Sequence, residues 1–209
     1  MLRVFEREYL RQHKETTYPE ELSLVLYFVV KNLSGAGLSQ SQGAKLVGQD
    51  LRFQTLLNLV LARLNELQLD YVVSIIWSLG ICVSAFSLEI APENKLRLLT
   101  TLNLLMDKEE AFHLYPNLPS LAFSLTCFFS PEDMNELVTE TVERVSKVYV
   151  ENMIERMDLL NCSSLLMSWG RCRLRNEELL KAVAEEILVK HRQKLFYEEG
   201  AIAEVTNIM

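Results

Sequence analysis

A short phrase recurs along this 209-residue chain at a nearly constant interval. Its three clearest copies are IWSLGIC at residues 76–82, AFSLTCF at 122–128 and LMSWGRC at 166–172. When the copies are aligned on their second residue, which is large in each, successive copies stand 46 and 44 residues apart. A phrase that returns at a fixed period indicates a repeat protein, because each copy marks the same place in one structural unit.

Two weaker copies extend the series in both directions. Residues 204–209 match the start of the phrase, and in this alignment Met209 stands 42 residues after Met167. A poorer match at Phe28 lies 49 residues before Trp77. A period of about 40–47 residues is typical of solenoids built from helix pairs. The sequence therefore predicts an all-α fold, a right-handed α-solenoid of stacked antiparallel helix pairs with about four repeats and a partial fifth.

Each period reads as a first helix, a turn and a second helix, which we name helix A and helix B. Helix A is expected at about residues 19–33, 69–82, 118–129 and 159–172, with a fifth starting near Ala201. Helix B is expected at about residues 50–67 and 92–106, from Ser130 onwards, and from a cap at Asn176 to about Leu195. Residues 34–43 form the only Gly/Ser-rich stretch and are predicted to be a loop.

The two helix types differ in composition. Helix A is apolar almost all round, as expected of a helix sandwiched between neighbouring repeats, whereas helix B keeps charges such as Glu136 and Glu140 on one face. Small residues such as Ser78, Gly80 and Gly170 stand within one turn of the bulky ones and let adjacent helices approach closely. Each helical glycine costs about 1 kcal/mol relative to alanine, which packing has to offset.

The predicted domain organisation is simple. Residues 1–18 are a polar lead-in, and residues 19–209 form a single helical-repeat domain. Met209 falls partway through a predicted helix, whereas solenoids usually finish with a polar capping helix. We therefore expect either that the protein continues beyond Met209, with the domain truncated here, or that the terminal helix docks on something else.

Composition limits the classes of function. Hydrophobic residues make up 49% of the chain, which favours a folded core, and seven glycines and five prolines are too few for a turn-rich β-sandwich. The formal net charge of −7 disfavours nucleic-acid binding, whose affinity comes largely from Lys and Arg on phosphate. That acidity leaves a purely protein-binding role open beside an RNA-binding one.

Basic residues are nevertheless concentrated near the carboxyl end. Arg171, Arg173 and Arg175 fall at the turn after the fourth helix A, and such turns line one edge of a solenoid, where phosphate or an acidic partner could dock. A second basic spot lies at the end of the fourth helix B. The predicted RNA- or partner-binding residues are Arg171, Arg173, Arg175, Lys190, Arg192 and Lys194. The alternative is that these side chains form an ordinary solvated helix face.

Nothing in the sequence indicates catalysis. The three histidines are far apart, and the chain contains no P-loop, no G-x-S-x-G and no G-x-G-x-x-G motif. The four cysteines form no C-x-x-C pair and lie in apolar helices, so we expect buried, reduced thiols and no metal site. The sequence predicts a protein that is not an enzyme and needs no cofactor.

Two apolar features have competing interpretations. Trp77 and Trp169 could stack on bases of a single strand, but they lie in the most apolar helices, which favours core packing. If the repeats are equivalent, the two tryptophans should have similar surroundings.

Residues 71–88 are uncharged over 18 positions, close to the minimum needed to cross a bilayer. A buried solenoid helix is the favoured interpretation, and no membrane partner is expected.

Residues 165–188, LLMSWGRCRLRNEELLKAVAEEIL, carry a family resemblance. They resemble the octotricopeptide and heptatricopeptide repeats of organellar proteins, a group that includes the Fas-activated kinase-like and RAP-domain proteins of mitochondria and plastids. In that pattern small residues stand one and three positions after a tryptophan; here they are Ser78, Ser124 and Ser168 at the first position and Gly80, Thr126 and Gly170 at the second. Its tryptophan position is taken here by Trp77, Phe123, Met167 and Met209. The resemblance covers about residues 69–209, and no RAP-like segment follows.

The resemblance implies a function. It implies a non-enzymatic component of a mitochondrial ribonucleoprotein in the matrix, associated with the mitochondrial ribosome or with RNA processing. Its partners would be ribosomal or other organellar RNA, neighbouring protein subunits of a large complex, or both. The alternative, favoured by the acidic charge, is an accessory or scaffold subunit of a respiratory or ATP synthase complex.

Overall fold

The structure is a computed structural model that describes residues 18–108, 118–129 and 136–192. Of these residues 87% lie in helices and none in a strand, so the predicted all-α class is confirmed. Most of the lead-in at residues 1–18 and the predicted helix near Ala201 lie outside the described residues. The nine α-helices of the described residues are α1 (Pro19–Gly35), α2 (Gln40–Gln49), α3 (Leu51–Ala62), α4 (Leu69–Phe86), α5 (Pro92–Lys108), α6 (Leu118–Phe128), α7 (Glu136–Met153), α8 (Leu159–Cys172) and α9 (Glu177–Arg192).

The predicted loop at residues 34–43 is wrong at both ends, because α1 continues to Gly35 and α2 begins at Gln40. Helix α2 begins at Gln40 because of a reciprocal cap, which amino-acid composition alone does not reveal. The Ser39 hydroxyl accepts a hydrogen bond from the Gln42 backbone N–H at 3.3 Å, and the Gln42 side chain accepts one from the Ser39 N–H at 3.0 Å. Such a capping box pairs two backbone donors that a helix start otherwise leaves open. Residues 36–39 stay outside the helices, and Gly37 has a positive φ of 63°.

Other helix starts follow from polar caps. The Asp50 carboxylate accepts from the Arg52 N–H at 2.9 Å at the start of α3, and Asp158 accepts from the Asn161 N–H at 2.7 Å at the start of α8. Asn176 accepts from the Leu179 N–H at 3.1 Å, which confirms the predicted cap of α9. The predicted start at Ser130 and the predicted end near Leu195 lie outside the described residues.

The chain divides into two compact units, residues 1–109 and 110–209. In the first unit α4 packs against α1, α2 and α5, and α3 packs against α1 and α2. In the second unit α6 packs against both α7 and α8, α8 also packs against α7, and α9 packs against α7. A single continuous domain over residues 19–209 stays a prediction.

Within each unit, the first helix of one repeat packs against the first helix of the next. In the first unit this pair is α1 and α4, where the rings of Tyr27 and Trp77 stand 5.0 Å apart between centroids. In the second unit it is α6 and α8, where the Arg171 guanidinium lies 5.1 Å from the centre of the Phe123 ring. Neighbouring A helices therefore touch through residues about one period apart in sequence.

The three copies of the recurring phrase share a buried pattern. Its third, fourth and seventh positions are buried in every copy; these residues are Ser78, Leu79, Cys82, Ser124, Leu125, Phe128, Ser168, Trp169 and Cys172. The serine hydroxyl at the third position donates to a backbone carbonyl one turn earlier in each copy, at 2.7 Å. That bond satisfies a buried polar group inside its own helix, so the serine provides a small surface without an unpaired donor.

Trp77 and Trp169 have unlike surroundings, which contradicts the expectation that they match. Trp169 is 3% exposed, whereas Trp77 is half-buried against Tyr27. The reason is register: Trp77 occupies the second position of the phrase and Trp169 the fourth, where the first copy has the buried Leu79. Core packing is thus confirmed for Trp169 and only partly for Trp77.

Helix α4 covers most of the 18-residue apolar stretch. It is long and apolar enough to cross a bilayer by length and composition, and among the described helices it is the one that passes that test. More than half of it is buried inside the protein, and it packs on three other helices of its unit. A core helix of a soluble protein passes the same test, so this observation carries little weight for a membrane span.

Candidate binding surface

Arg171 lies against the preceding A helix. Its guanidinium donates to the Sγ of Cys127 at 2.8 Å and approaches the Thr126 carbonyl at 3.5 Å, with the Phe123 ring beneath it. A guanidinium over an aromatic face is stabilised by about 0.5–1 kcal/mol at an exposed site. Arg171 is exposed, but its side chain makes these contacts between two repeats. It is therefore less available to a binding partner.

Arg173 ends α8 in a strained conformation. Its φ of 54° and ψ of 33° are left-handed, a region that favours glycine because a Cβ crowds the backbone there. The turn is closed by two bonds, from the Arg173 N–H to the Gly170 carbonyl at 3.4 Å and from the Leu174 N–H to the Trp169 carbonyl at 2.9 Å. The side chain itself is exposed.

Arg175 is also exposed, two residues further along the same turn. Within the described part of the chain, no carboxylate forms an ion pair with Arg173 or Arg175. The charges of these two predicted basic residues are therefore available to a partner.

Lys190 is held inside the second unit. Its ammonium donates to the Glu155 carbonyl at 2.8 Å and pairs with the Glu186 carboxylate at 3.4 Å, and its side chain is only 12% exposed. The residue thus ties α9 to the short helical turn at Ile154–Arg156. Arg192 is exposed at the end of α9, and Lys194 lies outside the described residues.

The two basic spots do not form one continuous patch. Arg175 precedes α9 and Arg192 ends it, and the 16 residues of that helix span about 24 Å at 1.5 Å per residue. Glu177 and Glu178 occupy the first turn of α9, directly after the arginines. The structure therefore brings Arg173 and Arg175 together at one turn and separates them from Arg192.

The cysteines carry no reactive chemistry. All four are free thiols; Cys82, Cys162 and Cys172 are buried and Cys127 is half-buried, so the predicted burial is confirmed for three of them. Burial raises the pKa of Cys82 to about 12 and raises the pKa of Cys127 as well. A thiol with a raised pKa is a poor nucleophile and a poor metal ligand. Within the described ranges, no group of three His, Cys, Asp or Glu side chains could hold a metal ion.

Sequence reasoning missed an aromatic cluster in the first unit. The Tyr27 ring contacts both Phe28, at 5.4 Å in an edge-to-face arrangement, and Trp77, and the Lys31 ammonium lies 5.6 Å from the Tyr27 ring centre. Phe28 is 47% exposed and nearby Leu24 is 41% exposed. The weak phrase copy at Phe28 was the available signal, but its match was too poor to place the rings together.

Comparison with protein-family models, with curated proteins and with solved structures finds no match to this chain. The resemblance to octotricopeptide and heptatricopeptide repeats therefore stays an expectation drawn from the recurring phrase.

Proposed function

We propose that this chain is a non-enzymatic helical-repeat component of a mitochondrial ribonucleoprotein, associated with the mitochondrial ribosome, that binds RNA backbone, neighbouring proteins or both. The observation that carries the proposal is the shared burial of the phrase in its three copies, together with the packing of A helices within each unit. Both are expected of an α-solenoid, an architecture that presents an extended surface to partners.

RNA contact rests on the turn after α8. Arg173 is exposed in a conformation that suits glycine, and Arg175 stands beside it without a carboxylate partner among the described residues. Arginine binds phosphate through a planar fork of donors, which lysine lacks. Arg171 and Lys190 contribute less in this proposal, because both are engaged in contacts within the second unit.

The test is RNA binding measured across a range of salt concentrations with a mixed-sequence single-stranded RNA as probe. Removing one arginine that binds a phosphate should make the slope of log K against log salt shallower by about 0.7. Replacing Arg173 and Arg175 with serine should flatten the slope by about 1.4. Lys181→Ser is the matched control, since Lys181 is exposed on α9 and pairs only at 3.9 Å with Glu185. Binding that ignores salt, or an equal weakening in both variants, would contradict RNA contact.

The acidic charge supports a second candidate, an accessory or scaffold subunit of a respiratory or ATP synthase complex. The net charge is −7, and two of the six predicted basic residues are engaged internally. Such a subunit would associate with protein partners in a salt-insensitive way. Purification of the protein from mitochondria without nucleic acid, judged by the ratio of absorbance at the nucleic-acid and protein maxima, would favour this role over the first.

A further inference from the structure

Helix α8 carries an apolar face that the described residues of its unit leave exposed. Leu160 is 62% exposed, Met167 48% and Leu166 37%, and Gly170 is exposed beside them. At helical spacing these residues surround the half-buried Ser163, and we call the five residues the α8 face. The positions that correspond to Leu166, Met167 and Gly170 in the two earlier copies of the phrase are buried or half-buried; they are Ile76, Trp77, Gly80, Ala122, Phe123 and Thr126.

The charges around the α8 face are divided between its two ends. No residue from 159 to 170 is charged. Two acidic residues precede this stretch, where Arg156 offsets one of them, and basic residues follow it. These exposed acidic and basic residues are Glu155, Asp158, Arg171 and Arg173. A partner that fits this face therefore needs an apolar middle, a basic group at one end and an acidic group at the other.

Small residues give the α8 face a shape that suits a helix. Among the described residues, a Cβ added at Gly170 would meet no atom within 4 Å, so no contact there requires glycine. Glycine is less favourable than alanine inside a helix, but it allows another backbone to approach closely. Ser163 is also small, and the larger Leu160 and Met167 stand three residues before it and four after it.

We propose that the α8 face binds the α8 face of a second copy of this chain, with the two helices antiparallel. If Ser163 of each copy lies near the two-fold axis, Leu160 of one copy lies beside Met167 of the second copy, and the reverse contact forms on the other side of the axis. The exposed apolar side chains of both copies are then buried together, which drives the association.

A second copy fits because the α8 face is complementary to itself when it is turned end to end. The antiparallel order brings the acidic end of each helix to the basic end of the other, whereas a parallel order would place like charges together. Exposed ion pairs contribute little to affinity, so these charges select the direction of the helices more than they strengthen the dimer. Such a dimer forms without RNA, so its test is separate from the salt titration of RNA binding.

The first test is sedimentation velocity of the full chain over a range of protein concentrations. The wild type should form a dimer that dissociates on dilution. Met167→Glu should raise the dissociation constant by about tenfold or more, because two-fold symmetry buries the new charge twice. Leu104→Glu is the matched control, since Leu104 is 55% exposed on α5 of the first unit, and it should leave the dimer unchanged.

The second test is disulfide trapping under mild oxidation, read on a non-reducing gel. Ser163→Cys should give a covalent dimer, because the two-fold axis places the two new cysteines together. Leu160→Cys alone should not, because seven residues of helix, about 10 Å, separate the two copies of that position along the axis. A mixture of Leu160→Cys and Met167→Cys proteins should link. Asn152→Cys, at an exposed position of α7, and the wild type are the controls.

Each outcome decides the proposal. A dimer that Met167→Glu weakens and Ser163→Cys traps supports it. A wild type that stays monomeric at every concentration would overturn it and leave a different protein, or another part of the same chain, as the occupant. A dimer that Met167→Glu leaves intact would show that another surface associates, and covalent linkage by Leu160→Cys alone would contradict the antiparallel order.

Discussion

The indole N–H of Trp169 in α8 donates a hydrogen bond to the hydroxyl of Ser146 in α7 across 2.8 Å, and both residues are buried. The same hydroxyl donates to the Val142 carbonyl at 2.7 Å. One serine thus satisfies the only polar group of a buried tryptophan side chain and joins the B helix of one repeat to the A helix of the next. This link makes the Trp169 indole a core element rather than a base-stacking surface.

We predict that Ser146→Ala destabilises the protein by about 1–3 kcal/mol, because it leaves the buried indole N–H without a partner. Ser168→Ala is the control. Ser168 is equally buried, but its hydroxyl donates only to the Leu165 carbonyl of its own helix, and the expected destabilisation is about 1 kcal/mol or less. Urea unfolding followed by circular dichroism measures both. Equal destabilisation would show that the Trp169 hydrogen bond contributes nothing.

A second prediction concerns the approach of α2 to α4. A Cβ at Gly43 would lie 2.0 Å from Cδ1 of the buried Phe86 ring, whereas a Cβ at Gly48 in the same helix meets nothing within 4 Å. Gly43→Ala should therefore cost about 1–3 kcal/mol by overpacking, despite the better helix propensity of alanine. Gly48→Ala should stabilise by up to about 1 kcal/mol. Thermal unfolding checks this pair, and melting temperatures that shift in the same direction in both variants would contradict the close approach at Gly43.

Arg173 offers a test in which stability and binding move in opposite directions. Arg173→Gly relieves a left-handed conformation and should stabilise the protein by about 1 kcal/mol. The same change should weaken RNA binding, because it removes an exposed cation. Arg175 has no positive φ, so Arg175→Gly should weaken binding without adding stability. Calorimetry and the salt titration are the measurements, and a destabilised Arg173→Gly variant would contradict the assigned strain.

Asp50 should make stability depend on pH. A hydrogen bond from the Arg52 guanidinium lowers the pKa of its carboxyl to about 2, from an ordinary value near 3.8. The stability that this carboxylate contributes is present above its unfolded pKa and is lost as pH falls from about 4 towards 2. Asn is as good a helix cap as Asp, so Asp50→Asn should be less stable at neutral pH mainly because it lacks the ion pair.

That variant should therefore converge with the wild type as the pH approaches 2. Urea unfolding at several pH values follows the difference between the two proteins. A difference that stays constant from neutral pH down to pH 2 would show that the Asp50 charge does not contribute.

Most helices could be predicted because their signals are local. The apolar period, the proline at Pro19 and the cap at Asn176 each act over a few residues, and the structure has helices there. The sequence does not predict helix α2, because its glycines suggest a turn. Gly43 instead allows α2 to pack closely against Phe86, which is 43 residues away in the sequence. Residue type alone suggests that the two Trp residues are equivalent, but they occupy different positions of the phrase, and the two positions differ in burial.

The candidate site was harder to predict than the fold. The charge pattern predicts Arg171, Lys190 and Arg173 as binding residues alike. Sequence spacing does not show that Arg171 contacts Cys127 or that Lys190 donates to the Glu155 carbonyl. Those contacts depend on how α6, α8 and α9 pack within the second unit. The left-handed conformation of Arg173 is likewise a property of the turn, and nothing in the residue type reveals it.

The most direct measurement is sedimentation of a mitochondrial lysate, with this protein detected in each fraction before and after ribonuclease treatment. The proposed role in a ribonucleoprotein predicts that the protein sediments with ribosomal particles and moves to light fractions when the RNA is digested. Sedimentation in a large complex that ribonuclease leaves unchanged would contradict it and would favour the scaffold role.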